Sequence, residues 1–434
     1  MRVVIGAGTD GLRAAAAWAA TGEQVCLVQS TDTPHGLDFP DLPEGNGRLH
    51  VSSDVRAFAE TVIGPVVEAP DLVRAIAARE KVHRLPLDFM AVPQLFDAST
   101  LQGVGQHFIR RRARNGLIPL TGGGQEERTY RQWVERRMGA PAYRHTYQNY
   151  ASRRWGADGD NLSSSVARVH HNPSEYSTAG QVPGGGPRSA LEHAISVIEA
   201  AGGKIISGAN VRGLKVVDGK VVAVRVGRRN IAVDGPVWIA RPPSVVAAWL
   251  GDLLHSGLHV DAQSLQAMDA VQVSMPIEEA CHFDEIHLLE SDSDAWRITQ
   301  SYGGALQAVY HCTIHPDAPD PDPSVLAAVG ASLGFKGLDS SLAKVERLRE
   351  WNPVWAPLTH TRLRRLFLAF GELGVVAVGR RGTFSPICPG REIALASLYA
   401  NSEVPDQREA LRSMLEPPVR SDDLNASFRD FIWV

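Results

Sequence analysis

The sequence has little of what marks proteins of membranes, of oxidising compartments or of nucleic-acid complexes. None of its apolar runs approaches the roughly 20 residues that cross a bilayer. Its four cysteines form no C-x-x-C pair, so we expect neither a disulfide framework nor a zinc site. A net charge of −4 gives no electrostatic basis for binding nucleic acid. The fifteen histidines include no H-E-x-x-H motif, and we expect no metal ion.

What is present begins at the N-terminus, where a short apolar run meets Gly6, Gly8 and Gly11. An alanine-rich stretch over Leu12–Ala20 and a second apolar run over Val25–Val28 follow. This order predicts strand, tight turn, helix and strand, and G-x-G-x-x-G at such a turn is the dinucleotide fingerprint of FAD- and NAD(P)-binding folds. The first glycine permits the turn, the second lets a pyrophosphate approach the backbone, and the third lets the helix pack closely. Because this segment takes up the first apolar run, we expect no leader and a cytoplasmic protein.

Two residues of this segment alter the expected ligand contacts. The residue that ends the second strand usually carries a carboxylate for the ribose hydroxyls, and here it is Gln29. An amide loses the charge-assisted hydrogen bond, at a cost on the order of 1 kcal/mol. Asp10 falls in the first helical turn, where a carboxylate suits the helix dipole but would repel a bound pyrophosphate. The segment therefore predicts the fold more strongly than it predicts the ligand.

Buried-strand patterns return twice after long insertions. Val237–Ala240 and Gly374–Val378 are short apolar runs of the kind found in parallel sheets. Alternating β-branched segments precede the first of them, with Asp218 and Gly219 as a hairpin turn. The stretch 287–313 also alternates and predicts an antiparallel sheet in a second domain. We therefore predict an α/β protein with a Rossmann-like domain assembled from separated segments and an interleaved α+β domain.

Five blocks, in this order along the chain, resemble one family. They are Gly6–Leu12; Tyr143–Gly156, which ends in Arg153-Arg154-Trp155-Gly156; Val182–Gly186 with Ala209–Val211; Trp296–Thr299; and Val378–Phe384. The family is that of the two-domain FAD oxidoreductases, which includes flavin amine oxidases, protoporphyrinogen oxidase, phytoene desaturases and UDP-galactopyranose mutase. The resemblance extends over most of the chain.

The resemblance implies which segments form each domain. The FAD-binding domain would comprise residues 1–50, 182–245 and 371–434, the last including a C-terminal tail. The substrate domain would comprise the largely helical segment 51–181 and the sheet and helices of 246–370. FAD is the cofactor that this division implies.

The resemblance also implies the site residues. Those at cofactor-contacting positions are Gly6, Gly8, Gly11, Gln29, Gly36, Val211, Gly379 and Arg380. The resemblance would bring His50, Trp155, Arg297 and Arg380 near the isoalloxazine, and of these His50, Trp155 and Arg297 are the catalytic candidates. The chain departs from the family after the second strand, where Pro34-His35-Gly36 replaces a glycine pair, and after Gly382, where Ile387-Cys388-Pro389-Gly390 replaces an Asn-Met pair.

Three functions follow from these features. The first is an FAD-dependent oxidoreductase of the amine oxidase or protoporphyrinogen oxidase type that acts on a small organic substrate. The second is a degenerate flavoprotein that has lost FAD and serves as a binding or scaffold subunit. The third is a non-redox mutase in which reduced flavin acts as nucleophile. Flavin absorbance separates the second from the others, and activity that requires prior reduction without net oxidation identifies the third.

The C-terminal tail adds a possible partner surface. Leu424, Phe428, Phe431 and Ile432 fall at helical spacing after a proline pair, which predicts an amphipathic helix. Such a helix either docks on the chain's own core or forms a patch that a second copy or a partner subunit covers. We carry both interpretations.

Overall fold

The computed structural model describes residues 1–6, 8–30, 53–69, 73–79, 81–85, 92–117, 128–170, 180–183, 186–279, 281–301, 306–385, 396 and 399–400. The strands are β1 (Arg2–Gly6), β2 (Val25–Ser30), β3 (Val66–Ala69), β4 (Arg74–Ala78), β5 (Lys81–Arg84), β6 (Gly180–Pro183), β7 (Lys204–Ala209), β8 (Val211–Val217), β9 (Lys220–Val226), β10 (Arg229–Ala232), β11 (Val237–Ala240), β12 (Ala267–Pro276), β13 (Glu285–Leu288), β14 (Ala295–Ser301), β15 (Gln307–Ile314), β16 (Lys344–Pro353) and β17 (Val375–Ala377).

The helices are α1 (Thr9–Ala19), α2 (Ser53–Ile63), α3 (Ala98–Leu117), α4 (Tyr130–Met138), α5 (Ala140–Ala142), α6 (Gln148–Trp155), α7 (Ser164–His170), α8 (Gly186–Ala200), α9 (Pro243–Leu250), α10 (Ser256–Gln263), α11 (Pro323–Ser332), α12 (Thr359–Glu372) and α13 (Gly379–Thr383). Among the helices described, none is long and apolar enough to cross a membrane.

The chain divides into two compact units, of which the first comprises Met1–Pro70, Ala179–Gln266 and His360–Glu416. Its central sheet has the order β17–β11–β1–β2–β7, and every neighbouring pair is parallel. The side chains of β1 and β11 are buried on both faces, which explains why these strands read as continuous apolar runs. On one face, the Trp18 ring of α1 stacks on the Trp238 ring of β11 at a centroid distance of 4.0 Å.

The first unit confirms the predicted fold class. The strand, glycine turn, helix and strand of the N-terminal segment are present as β1, α1 and β2. The late apolar run joins the same sheet as β17, which pairs with β11. Asp218 and Gly219 form the turn between β8 and β9, and their φ angles of 49° and 71° match a tight hairpin turn. The five sequence-based domain boundaries remain predictions.

The second unit comprises Asp71–Thr178 and Ala267–Thr359. Its seven-stranded sheet has the order β16–β12–β15–β14–β13–β4–β5, and only β4 and β13 pair in parallel. Alternate side chains on one face form the apolar core of the unit, including Met275, Ile286, Ile298 and Tyr310. The antiparallel sheet predicted for 287–313 is therefore present. The opposite face of this sheet carries the polar residues described below.

Candidate functional site

The first candidate site lies at the carboxyl edge of the five-stranded sheet, where β1, β2 and β11 end. Gly6 closes β1 and is level with Gln29 of β2 and Ala240 of β11. Gly8 then caps α1 with φ 76° and ψ −154°, a conformation that only glycine adopts without strain. No side chain caps this end of α1, so its first-turn N–H groups are left for an acceptor outside the helix.

Gly6 and Gly11 let α1 pack directly on β1. A Cβ added at Gly6 would lie 2.5 Å from the Gly11 Cα atom, and one added at Gly11 would lie 2.7 Å from the Gly6 Cα atom. Neither backbone can move away without separating the helix from the strand. The three glycines therefore fill the roles expected of a dinucleotide turn, and the residues present fit such a ligand.

Gln29 lies at the same edge as the glycine turn and is half-buried. Its Oε1 atom accepts a hydrogen bond of 3.0 Å from the Ser207 hydroxyl of β7. Val211 starts β8, two residues after Ala209, which ends β7 opposite Ser30. The contacts of Gln29 and Val211 with an adenosine stay predictions, but their strands bring both residues to this end of the sheet.

Asp10 contacts the start of α13 in the first unit. Its side chain is buried, and its Oδ2 atom accepts a hydrogen bond from the Arg381 backbone N–H at 3.4 Å. A Cβ added at Gly379, whose φ is 68°, would meet the Asp10 Cβ atom at 2.5 Å. Arg380 is buried on the same short helix. The carboxylate therefore satisfies a backbone donor of the chain itself.

A second candidate site is the polar face of the seven-stranded sheet in the second unit. Register and alternation place nine buried polar side chains on this face: Arg74, His83, Gln272, Glu285, His287, Arg297, Thr299, His311 and Thr313. Buried ionisable side chains are costly unless paired, so a cluster of this size is unusual for a purely structural sheet.

Glu285 is the centre of the charges on this face. Its carboxylate lies 2.7 Å from His287 Nε2, 3.7 Å from Arg74 Nε and 3.7 Å from Arg297 Nη1. Burial alone would raise the pKa of Glu285, but Arg74, Arg297 and His287 together hold it well below its usual range. The carboxylate is therefore ionised, and the cation of Arg297 also lies over the Trp296 ring at 4.6 Å.

A chain of polar contacts leads from Glu285 to helix α6, beginning with the close contact between the Glu285 carboxylate and His287 Nε2. The ionised carboxylate can only accept, so we assign the Nε2 proton to His287 and leave its Nδ1 atom to accept. The Tyr150 hydroxyl, at 3.0 Å from that Nδ1 atom, donates to it and accepts from Arg154 Nη1 at 2.9 Å. Burial lowers the pKa of His287 and raises that of Tyr150, so both stay neutral.

Arg154 ends this chain against three aromatic rings. Its guanidinium carbon lies 4.9 Å from the Trp155 ring centroid, 4.8 Å from that of Trp296 and 5.7 Å from that of Tyr150. Its backbone carbonyl accepts a hydrogen bond from the Thr313 hydroxyl at 2.8 Å, which joins α6 to the sheet. The side chain is thus held both by cation–π contacts and by the chain of polar contacts.

The sequence-predicted candidates fall into three groups. Gly6, Gly8 and Gly11 meet at the glycine turn, while Gly379 and Arg380 start α13 in the same unit. Trp155 and Arg297 lie in the second unit, where both are linked to the aromatic and ionic cluster around Trp296. His50, Gly36 and the C-terminal tail lie outside the described residues. Among the described residues, no group of three or more metal-ligating side chains is placed to hold a metal ion.

Most residues of the polar face do not stand out as site residues in the sequence. Arg74, Glu285, His287 and His311 come from three distant stretches, and none belongs to a recognised block. A signal was present: in E-x-H and R-x-T, polar residues recur at every second position inside predicted strands. Alternation of this kind normally indicates a strand with one face in solvent. The sequence does not reveal whether another element of the fold buries that face.

The fold is shared with solved structures of flavoenzymes. A putative protoporphyrinogen oxidase from Exiguobacterium sp. 255-15 matches with a TM-score of 0.67 at 14% identity, over 92% of this chain and 97% of that chain. Reduced UDP-galactopyranose mutase matches with a TM-score of 0.70 at 14% identity, over 96% of each chain. Cyclohexylamine oxidase from Brevibacterium oxydans IH-35A matches with a TM-score of 0.62 at 13% identity, over 95% of this chain and 98% of that chain.

These matches confirm the predicted resemblance at the level of the fold. Identities of 13–14% show a common architecture and do not transfer an activity. No protein-family model and no curated protein matches the sequence.

Proposed function

We propose that the protein is an FAD-dependent oxidoreductase that acts on a small organic substrate. The observation that carries the proposal is the glycine turn of the first unit, where Gly8 leads into an α1 whose N-terminus has no side-chain cap. Such an end presents backbone N–H groups and a positive dipole to a pyrophosphate. The fold shared with the flavoenzymes favours FAD as the dinucleotide.

In this proposal, the residues of the first unit hold the cofactor. The first-turn N–H groups of α1 bind the pyrophosphate, Gln29 faces the adenosine ribose, and the backbone at Val211 lies against the adenine. Gly379 and Arg380 contact the pyrophosphate and flavin side. Bound FAD supplies the capacity to accept two electrons from a substrate, which side chains alone do not provide. His50, Trp155 and Arg297 remain the proposed catalytic residues.

The test is flavin binding by the full-length protein. Purified protein should show flavin absorbance, or should bind added FAD with quenching of its fluorescence. Gly8→Ala should abolish binding while leaving the far-UV spectrum unchanged, because alanine does not adopt the φ and ψ of this position without strain. Gly105→Ala, at a helical position whose added Cβ contacts nothing, is the matched control.

The outcome separates the three functions. Failure of the wild-type protein to bind FAD would favour the scaffold function and contradict the proposal. Binding of FAD with turnover only after reduction, and without net oxidation of substrate, would indicate the mutase chemistry instead.

A further inference from the structure

Two neighbouring buried residues of the polar face each carry a polar atom that has no hydrogen-bond partner among the described residues. Gln272 of β12 and His311 of β15 are directly opposed in the antiparallel ladder, so their side chains stand side by side on this face. Only 3% of Gln272 and 4% of His311 is exposed. Within the part of the chain that the structure describes, Gln272 Oε1 and His311 Nδ1 have no hydrogen-bond partner. Buried polar groups in proteins rarely lack a hydrogen-bond partner. Two such groups on neighbouring residues therefore indicate a binding place for a further hydrogen-bonding group.

The hydrogen-bonding character of the pair depends on the tautomer of His311, which we assign from its contact with Thr299. The Thr299 hydroxyl lies 2.9 Å from His311 Nε2, on the next strand of the sheet. When the hydroxyl donates this hydrogen bond, the proton of the neutral imidazole is on Nδ1, and we assign this tautomer. The pair then offers one acceptor, Gln272 Oε1, beside one donor, His311 Nδ1–H. A group that both donates and accepts, such as an alcohol hydroxyl, complements it.

The charges on the His311 side of the pair disfavour an ammonium group in this position. Arg297 is the register neighbour of His311 on β14, and Arg74 lies beyond it on the same face. On the other side, the register neighbour of Gln272 is the half-buried Glu346 of β16, whose carboxylate is paired with Lys344. Burial, and then the positive charge of Arg297, holds the pKa of His311 well below its usual value, more than Glu285 opposes. A cation would meet the same unfavourable field as a protonated His311. A carboxylate fits the pair poorly for the opposite reason, since its oxygens would face Gln272 Oε1.

We propose that Gln272 and His311 form a buried binding site for a hydroxyl group of the substrate. The hydroxyl donates its proton to Gln272 Oε1 and accepts from His311 Nδ1–H, so that all three groups are satisfied. The assignment of this hydroxyl to a substrate rests on the proposed function, and it narrows the substrate class from small organic molecules to alcohols. The binding site itself does not depend on FAD.

The experiment compares three probes that share one ring and differ in one group: benzyl alcohol, benzylamine and sodium benzoate. Binding to the full-length protein is measured by ligand-observed NMR at pH 7.5 and constant ionic strength. We expect benzyl alcohol to bind and the two charged probes to bind at least about tenfold more weakly, because each leaves one buried polar group unsatisfied or repelled. Equal binding of benzylamine, or no binding of benzyl alcohol, would overturn the proposal and leave a buried water as the occupant.

Variants of Gln272 and His311 test whether benzyl alcohol binds at these two residues. Gln272→Met and His311→Leu keep the approximate volume and remove one polar partner each, and both should weaken benzyl alcohol binding about tenfold. His282→Phe, at an exposed position of the same unit, should leave it unchanged. In the absence of probe, each buried variant removes one unsatisfied atom, but His311→Leu also removes the hydrogen bond between His311 Nε2 and the buried Thr299 hydroxyl, so it should melt below Gln272→Met. Unchanged benzyl alcohol binding in both variants contradicts the proposal even if the wild-type protein binds.

Flavin content is measured in the same samples by absorbance. Selective benzyl alcohol binding in protein that cannot bind FAD would support this site and contradict the oxidoreductase. FAD binding without selective benzyl alcohol binding would support the oxidoreductase and contradict this site.

Discussion

The two large sheets of the molecule bury opposite kinds of side chain. In the parallel sheet of the first unit, the strands β1, β11 and β17 are apolar on both faces, and the candidate site is made of backbone at the edge where β1 ends in Gly6. The seven-stranded sheet of the second unit has one apolar face and one buried face of charged and polar side chains around Glu285. Adding a side-chain atom should therefore disrupt the backbone site of the first unit, whereas removing a charged side chain should disrupt the paired charges of the second unit.

The largest effect is expected from removing the charge of Glu285 at the centre of the polar face. Glu285→Leu leaves Arg74 and Arg297 buried without the carboxylate between them, and His287 without its acceptor. Breaking a buried pair in this way costs about 3–5 kcal/mol, so we expect a loss of that size in the free energy of unfolding by urea. Glu279→Gln, which removes an exposed ion pair with Lys336, should change it by less than about 1 kcal/mol. Similar losses in both variants would contradict the assignment of Glu285 as the centre.

Adding one methyl group to the glycine turn is the corresponding test of the first unit. Gly6→Ala brings a Cβ within 2.5 Å of the Gly11 backbone, and overpacking of this kind typically costs about 1–3 kcal/mol. We expect a lower melting temperature together with loss of FAD binding. Gly105→Ala should be neutral or slightly stabilising, since its added Cβ meets nothing and alanine favours the helix. Full retention of FAD binding by the Gly6 variant would show that the turn does not hold the cofactor.

The same difference explains what the sequence could predict. Gly6, Gly8 and Gly11 lie within six residues, and their roles follow from local backbone geometry, so their strand–turn–helix context was predictable. The parallel strands were predictable because burial on both faces makes them uniformly apolar.

The polar face was not predictable in the same way. Arg74 and Glu285 are 211 positions apart and meet only because β4 pairs with β13. That pairing depends on the tertiary arrangement of the whole unit, and no local pattern encodes it. The orientation of the Asp10 side chain could not be predicted from its local sequence either, because the backbone N–H that donates to it belongs to Arg381, 371 residues further along the chain.

The neutral histidines of the polar face predict how stability depends on pH. The folded-state pKa values of His287 and His311 are lowered by burial, so below about pH 6.5 the unfolded chain binds protons that the folded chain does not. Stability is therefore complete above this pH and falls on acidification. Each histidine contributes at most about 1.4 kcal/mol of loss between pH 6.5 and 5.5.

The measurement is urea unfolding at pH 7.5, 6.5 and 5.5. His311→Gln removes one titrating group, so its stability should fall less steeply than that of the wild-type protein over the lower interval. His282→Gln, at an exposed position, should keep the wild-type slope. A steeper slope for His311→Gln would mean that His311 is charged in the folded protein and would contradict the assignment of a neutral His311.

The smallest effect is expected for a substitution of Gln29 at the edge of the parallel sheet. Gln29 ends β2 beside Gly6, and its Oε1 atom already accepts from Ser207. Gln29→Glu keeps this acceptor and adds the charge that a ribose hydroxyl prefers, a gain of about 1 kcal/mol. We expect FAD to bind roughly fivefold more tightly in a fluorescence titration. Gln24→Glu introduces the same charge at an exposed position and should have no effect on affinity. An equal change in both variants would indicate a general effect of charge, and no change in either would show that Gln29 does not meet the ribose.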